Sequence, residues 1–197
     1  MTNHYEWLMQ PIDIQFLQKP KPIPSLPFKQ ICVIDNYLPE EEFFKVFNHM
    51  KEHQFDWHLS TIVSSDGVPG NMQLCHSFHN MHQHKPSTFG IVVPVLRKLN
   101  PIAVMRIKAN LSLATKEVEE GRLHIDIEDD DTPDCVRTSI LYMNSNDGYT
   151  VFEDGTKVES VMNRFVTFPH TLKHAGTTCT NAPFRMVINF NYVAGKL

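Results

Sequence analysis

The apolar rhythm of the chain divides it into a helical first part and a β-rich second part. In NYLPEEEFFKVFNHMKEH, Phe43, Val46, Phe47 and Met50 recur at three- and four-residue spacing, which predicts a helix with one buried face. Pro39 falls near the first turn, where its missing N–H costs nothing, and Glu40, Glu41 and Glu42 occupy the positive end of the helix dipole. Val92, Val95, Leu96 and Leu99 predict a second helix over 87–99, against which only Pro94 speaks. The run ICVID after Gln30 reads as a short buried strand, and STIVSSDGVPGNMQ, between the helices, as a strand and a loop. Before Gln30, Pro11, Pro20, Pro22, Pro24 and Pro27 exclude helix interior and central strand, so residues 1–29 are expected to form an extended surface arm.

Beyond Pro101 the texture changes to short Val-, Ile-, Thr-, Tyr- and Phe-rich segments separated by turns such as NSNDG, EDG and TNAP. Strands are expected at 102–115, 121–127, 136–143, 149–153, 157–161, 163–168, 172–176 and 184–193, a number that fits two four-stranded sheets. The expected fold class is therefore mainly β (α+β): a double-stranded β-helix, or jelly roll, with supporting N-terminal helices. Residues 30–197 would form one domain, with helical support over about 36–99 and the barrel over about 100–197.

Composition narrows the function classes. With 42% apolar and 20% charged residues the chain reads as soluble and globular, and a net charge of −4 offers no nucleic-acid footprint. No apolar run is long enough to span a bilayer, and the N-terminus shows no basic stretch followed by an apolar one, so a cytoplasmic protein without membrane contact is expected. Cys32, Cys75, Cys135 and Cys179 form no C-x-x-C pair, which leaves four reduced thiols rather than a zinc knot or a redox site.

Two constellations carry chemistry. In GRLHIDIEDD, His124 and Asp126 lie two residues apart in an expected strand, whose period-2 geometry points both side chains to one face. His174, in FPHTLKHAG, follows Asp126 by 48 positions and would come from another strand of the same barrel. Two imidazoles and one carboxylate form the set that suits non-haem iron(II), leaving positions open for chemistry. An isolated H-x-D is more often a plain hydrogen-bonded pair, and His170 competes with His174 as the second imidazole. In the last strand, Met186, Ile188, Phe190 and Tyr192 alternate with Arg185, Val187, Asn189 and Asn191. If the second set faces inward, Arg185 needs a carboxylate that no acidic residue on that strand offers and that a small diacid would supply. A surface arginine at the start of a strand is the plainer alternative.

The order of these pieces is more specific than any one of them. HID at residues 124–126, YMN at 142–144, GYTVF at 148–152, then His174 and, eleven residues on, Arg185 resemble the prolyl 4-hydroxylase type of iron(II)- and 2-oxoglutarate-dependent oxygenases, particularly the short stand-alone bacterial and phage versions. The resemblance covers about 100–197. It implies that His124, Asp126 and His174 hold Fe(II), His174 being preferred to His170 because it precedes the small pair Ala175 and Gly176. It implies that Arg185 and Tyr142 bind the distal carboxylate of 2-oxoglutarate, that Thr150 lines the same wall, and that Asn189 is a further pocket residue. It also implies O2 as oxidant, ascorbate as an accessory, and hydroxylation of a C–H bond with release of succinate and CO2. Peptidyl proline, another side chain of a peptide or protein, and a free small molecule stay open as substrate, as does the oligomeric state; a phage-encoded enzyme would act in the host cytoplasm. Leu111 departs from the pattern, standing where relatives often place a second tyrosine.

Three other readings compete. CHSFHNMHQH, with His76, His79, His82 and His84, reads as a solvent-facing loop or lid, or as a second metal site for zinc. EDDDTPD reads as a solvated loop, or as a binder of a cation or basic substrate. A cupin-like protein that holds a metal or small acid without turnover, or a structural jelly roll of a phage or cell surface, would keep the fold and drop the chemistry. Arg185 separates the first of these from an oxygenase, because a silent metal holder has no need of an inward guanidinium.

Overall fold

A computed structural model describes residues 30–63, 69–81, 83–84, 86–127, 132 and 134–195; the expected N-terminal arm lies outside these. In chain order the elements are β1 Cys32–Ile34, α1 Glu40–Met50, β2 His58–Val63, β3 Pro69–Asn80, β4 Gln83–His84, α2 Pro86–Leu99 and β5 Ala103–Leu113. They continue with β6 Val136–Tyr142, β7 Tyr149–Phe152, β8 Lys157–Glu159, β9 Phe165–Pro169, β10 His174–Gly176 and β11 Phe184–Val193. A large antiparallel sheet runs β1-β9-β6-β11-β5-β3-β2, with β4 paired to β3, and faces a small sheet β10-β7-β8.

The jelly roll is thus found, but unevenly divided. The large sheet recruits β1, β2, β3 and β4 from the first part of the chain, so it exceeds the four strands expected of it. The small sheet has three regular strands because 121–127 is not one. That segment runs along β10 through two isolated bridges, Glu120↔Thr177 and His124↔His174. Four residue steps on one side are set against three on the other, and the surplus residue breaks the ladder as a bulge does.

Both helices form as the pattern predicts. Pro39 (ψ 141°) sits just ahead of α1 rather than inside it, and its carbonyl accepts from Phe43 N at 3.0 Å, the first turn's bond. α2 keeps Pro94 in its interior and ends at Asn100, which takes the left-handed φ of 50° while its N–H reaches Leu96 O at 2.8 Å.

The helices cover one face of the large sheet. There Met186, Ile188, Phe190 and Tyr192 of β11 join Phe43, Val46 and Met50 of α1 and Val92 and Val95 of α2 in one buried core. A second core, inside the barrel, contains Ile140, Tyr142, Phe152, Val166, Phe168 and Val187. The polar alternate positions of β11 and β5 are left facing the space between the sheets. Phe190 is fully buried and 6.3 Å from the Phe165 ring. Phe190→Ala is expected to destabilise the fold by about 3–5 kcal/mol through lost contacts and the cavity left behind. Urea unfolding with an unchanged m-value is the check.

All four cysteines are free. No helix among the described residues is long and apolar enough to cross a membrane.

Candidate active site

His124, Asp126 and His174 come together although 121–127 is irregular: one ligand atom from each lies within 4.8 Å of the others. His174 is fixed by β10 and is 2% exposed, whereas His124 stands on the bridged segment beside it, the two rings 5.0 Å apart. Each imidazole turns Nδ1 to the carbonyl two residues earlier, His124 to Arg122 O at 2.9 Å and His174 to Leu172 O at 3.4 Å. A carbonyl only accepts, so Nδ1 carries the proton and Nε2 is left for a metal. His170, four residues before His174, is buried but not part of the group.

Asp126 is in neither sheet but is held by side chains of the large one. Its Oδ1 is 3.6 Å from His124 Nε2, while Asn191 of β11 donates to Oδ2 at 3.0 Å and Arg106 of β5 donates to its backbone carbonyl at 3.0 Å. Burial pushes the Asp126 carboxyl up, but the His124 hydrogen bond, the charges of His174 and Arg106, and Asn191 together outweigh it, and the group is held well below the usual range. Asp126 accordingly raises the His124 imidazole, whereas burial lowers that of His174.

Arg185 points inward and is 5% exposed. Its Nε donates to Ser160 Oγ at 2.8 Å and one terminal nitrogen to Thr150 Oγ1 at 3.1 Å; among the described residues no carboxylate pairs with it. Two glycines make its berth. A Cβ on Gly148 would fall 2.8 Å from Arg185 Cδ and 2.5 Å from Thr178 O, and one on Gly176 would fall 3.2 Å from a guanidinium nitrogen. Tyr142 sits behind this group rather than on the cavity wall, its hydroxyl donating to Thr150 Oγ1 at 2.8 Å. The metal cluster, Thr150, Arg185 and Asn189 all line one cavity of about 430 Å³.

Several residues of this site were not singled out from sequence. Asn191 continues the inward series that Arg185 begins, and that alternation was its available signal. Arg106 and Ser160 gave none, since their roles depend on cross-sheet contact, and Gly176 was marked only as one of the small pair after His174. Leu111 is corrected: it packs with the helix-side core, and Asn110 and Ser112 of β5 face the cavity. The histidine-rich segment is corrected too. It lies on β3, where His76 is fully buried, its ring nitrogens bonded to Asp56 O at 2.8 Å and Thr88 Oγ1 at 3.0 Å, and His79 reaches Val104 O at 3.1 Å. Among the described residues the one group of histidine, cysteine and acidic side chains placed so that it could hold a metal ion is His124, Asp126 and His174. His82 and most of EDDDTPD lie outside the described residues.

No family model matches the chain, and no curated protein matches it in sequence. Solved structures do match its fold. An oxidoreductase of the 2OG-Fe(II) oxygenase family from Burkholderia pseudomallei aligns with a TM-score of 0.63 at 9% identity, over 83% of this chain and 84% of that one. A prolyl hydroxylase from Trichoplax adhaerens, solved with a hypoxia inducible factor peptide fragment, aligns at 0.53 and 14% identity over 83% of each chain. A Pseudomonas putida prolyl-4-hydroxylase aligns at 0.51 and 14% identity, over 84% of this chain and 93% of that one. The chain has the jelly-roll fold of the 2-oxoglutarate and iron(II) oxygenases. The two prolyl hydroxylases share that fold.

Proposed function

We propose that this protein is an iron(II)- and 2-oxoglutarate-dependent dioxygenase that hydroxylates a C–H bond. The observation that carries the reading is one cavity holding both a cluster of two imidazoles and a carboxylate and, on its wall, a buried guanidinium without a carboxylate partner. The donor set fits iron(II), with both Nε2 atoms directed by backbone carbonyls and Asp126 kept ionised. Iron(II), when bound there, supplies oxygen activation coupled to decarboxylation of 2-oxoglutarate to succinate and CO2.

The remaining roles belong to the chain. Arg185 and the Thr150 hydroxyl hold the distal carboxylate, with Tyr142 and Ser160 fixing those two groups from behind. Gly148 and Gly176 leave the guanidinium its space. Ile140 and Val187 give the cavity an apolar stretch that excludes water from the reacting centre. Asn191 holds the Asp126 carboxylate in its rotamer and Arg106 holds its backbone. The substrate is a peptidyl proline, a reading supported by the prolyl hydroxylases among the structures that share the fold, or a small molecule; ascorbate serves as accessory reductant.

Anaerobic addition of iron(II) and 2-oxoglutarate tests the proposal. A visible absorption band that needs both, followed by succinate on admitting oxygen, supports it; zinc binding with no response to 2-oxoglutarate overturns it.

Iron(II) affinity should depend on pH in a defined direction. Asp126 is held low and His174 is lowered, so the proton that competes with the metal sits on His124, whose pKa is raised by Asp126. Affinity is expected to fall towards acid, approaching about tenfold per pH unit for one competing proton, with the onset above the ordinary histidine pKa of about 6.5. Metal titrations between pH 6 and 8 measure it.

A further inference from the structure

Thr138 of β6 and Asn191 of β11 are register partners on the inward face of the large sheet, and both are fully buried. Asn191 Nδ2 donates to Thr138 Oγ1 at 3.0 Å and to Asp126 Oδ2 at 3.0 Å, so both amide hydrogens are spent. The amide cannot be turned round, because its carbonyl oxygen would then face a carboxylate that offers only acceptors. This orientation has a cost in the other half of the group: Asn191 Oδ1 is buried and meets no donor. The side chain is thus aimed at Asp126 at the expense of its own satisfaction, which points to a role beyond packing.

That contact divides the Asp126 carboxylate between two tasks. Oδ1 turns to the imidazoles, 3.6 Å from His124 Nε2, while Oδ2 is held back by Asn191. Arg106 ties the backbone carbonyl of the same residue at 3.0 Å, which keeps the carboxylate from shifting as a whole towards the cluster. A carboxylate with both oxygens free can grip a divalent ion with one of them or with both. The difference matters here, because two imidazoles and one oxygen leave three positions of a six-coordinate ion open, and a second oxygen closes one of these. On the oxygenase reading, 2-oxoglutarate and the oxidant together need all three.

We propose that Asn191, aimed by Thr138, is a positioning residue that restricts Asp126 to one metal-binding oxygen and so keeps a third position open beside the co-substrate. This rests on the oxygenase reading above. Neither residue belongs to the metal-binding group, and each acts through Asp126. The number of open positions is therefore set by β6 and β11, two strands that carry no metal ligand.

The test counts exchangeable water on manganese(II), a paramagnetic stand-in for iron(II), by water-proton relaxation of the full-length protein at several field strengths. The unaltered protein should hold about three waters on the ion, and about one once 2-oxoglutarate is saturating. Asn191→Leu, of similar volume but without the donor, should hold about one fewer in each state, which leaves none beside 2-oxoglutarate. Thr138→Val should lose water to a smaller extent, and Thr138→Ser, which keeps the hydroxyl, should match the unaltered protein. Unchanged counts in Asn191→Leu overturn the inference, as do unchanged counts in Thr138→Val where Asn191→Leu does not fold. Loss of manganese(II) binding in a folded Asn191→Leu also overturns it, since Asn191 would then support the whole site and not its open position. Equal losses in Thr138→Val and Thr138→Ser overturn the part given to Thr138. A water count in the unaltered protein that 2-oxoglutarate does not lower overturns the oxygenase reading instead.

Discussion

His174→Ala is expected to lower iron(II) affinity by on the order of a hundredfold or more, and with it all succinate formation, because it removes the ligand that the small sheet holds most firmly. His124 and Asp126 alone form a weak bidentate site on an irregular segment. The variant should still fold: β10 keeps its ladder to β7 at Ala175 and Gly176, and the helix-side core is untouched. The informative comparison is His170→Ala, four residues away, which should leave iron affinity unchanged. Equal losses in the two variants, or loss in His170→Ala alone, would show that the triad has been drawn with the wrong histidine.

Arg185→Ala should separate the two constellations. Truncating one partner of a buried, charge-assisted contact costs about 2–5 kcal/mol, so 2-oxoglutarate should bind roughly thirtyfold to several thousandfold more weakly while iron(II) affinity is kept. Arg185→Lys should recover little of it, because an ammonium cannot reproduce the planar fork that now meets Ser160 and Thr150 at once. Thermal denaturation gives an independent reading. At a hundredfold excess over its Kd a ligand stabilises the native state by about 2.7 kcal/mol, so 2-oxoglutarate should raise the Tm of the iron-loaded parent and leave that of Arg185→Ala in place. A diacid-dependent rise retained in the variant would mean that the co-substrate lies elsewhere in the cavity.

Much of this arrangement was legible in the sequence where a periodic pattern coincided with burial. The alternation in β11 placed Arg185, Asn189 and Asn191 on one face and Met186, Ile188, Phe190 and Tyr192 on the other, and the structure divides them in that way. The two helices followed from their apolar spacing. What escaped was set by contacts between segments remote in sequence. The strand expected at 121–127 gives way to two isolated bridges because four residue steps on it are set against three on its partner, a mismatch invisible in either segment alone. The segment holding His76 reads as a solvent-facing loop or lid, or as a second metal site, yet β3 carries His76 between Phe55 and Phe78, where its polarity is absorbed by one carbonyl and one hydroxyl. Leu111, where the resemblance leads one to look for a second tyrosine, has the odd parity of β5 and packs on the helix side.

Asp126 is moored to the large sheet by Asn191 and Arg106, while His174 is a residue of the small one. An ion gripped by both would act as a clasp across the mouth of the barrel. Spreading the two layers and loosening the ion then become the same movement, so whatever props the mouth open to admit a bulky guest also slackens the hold on the metal.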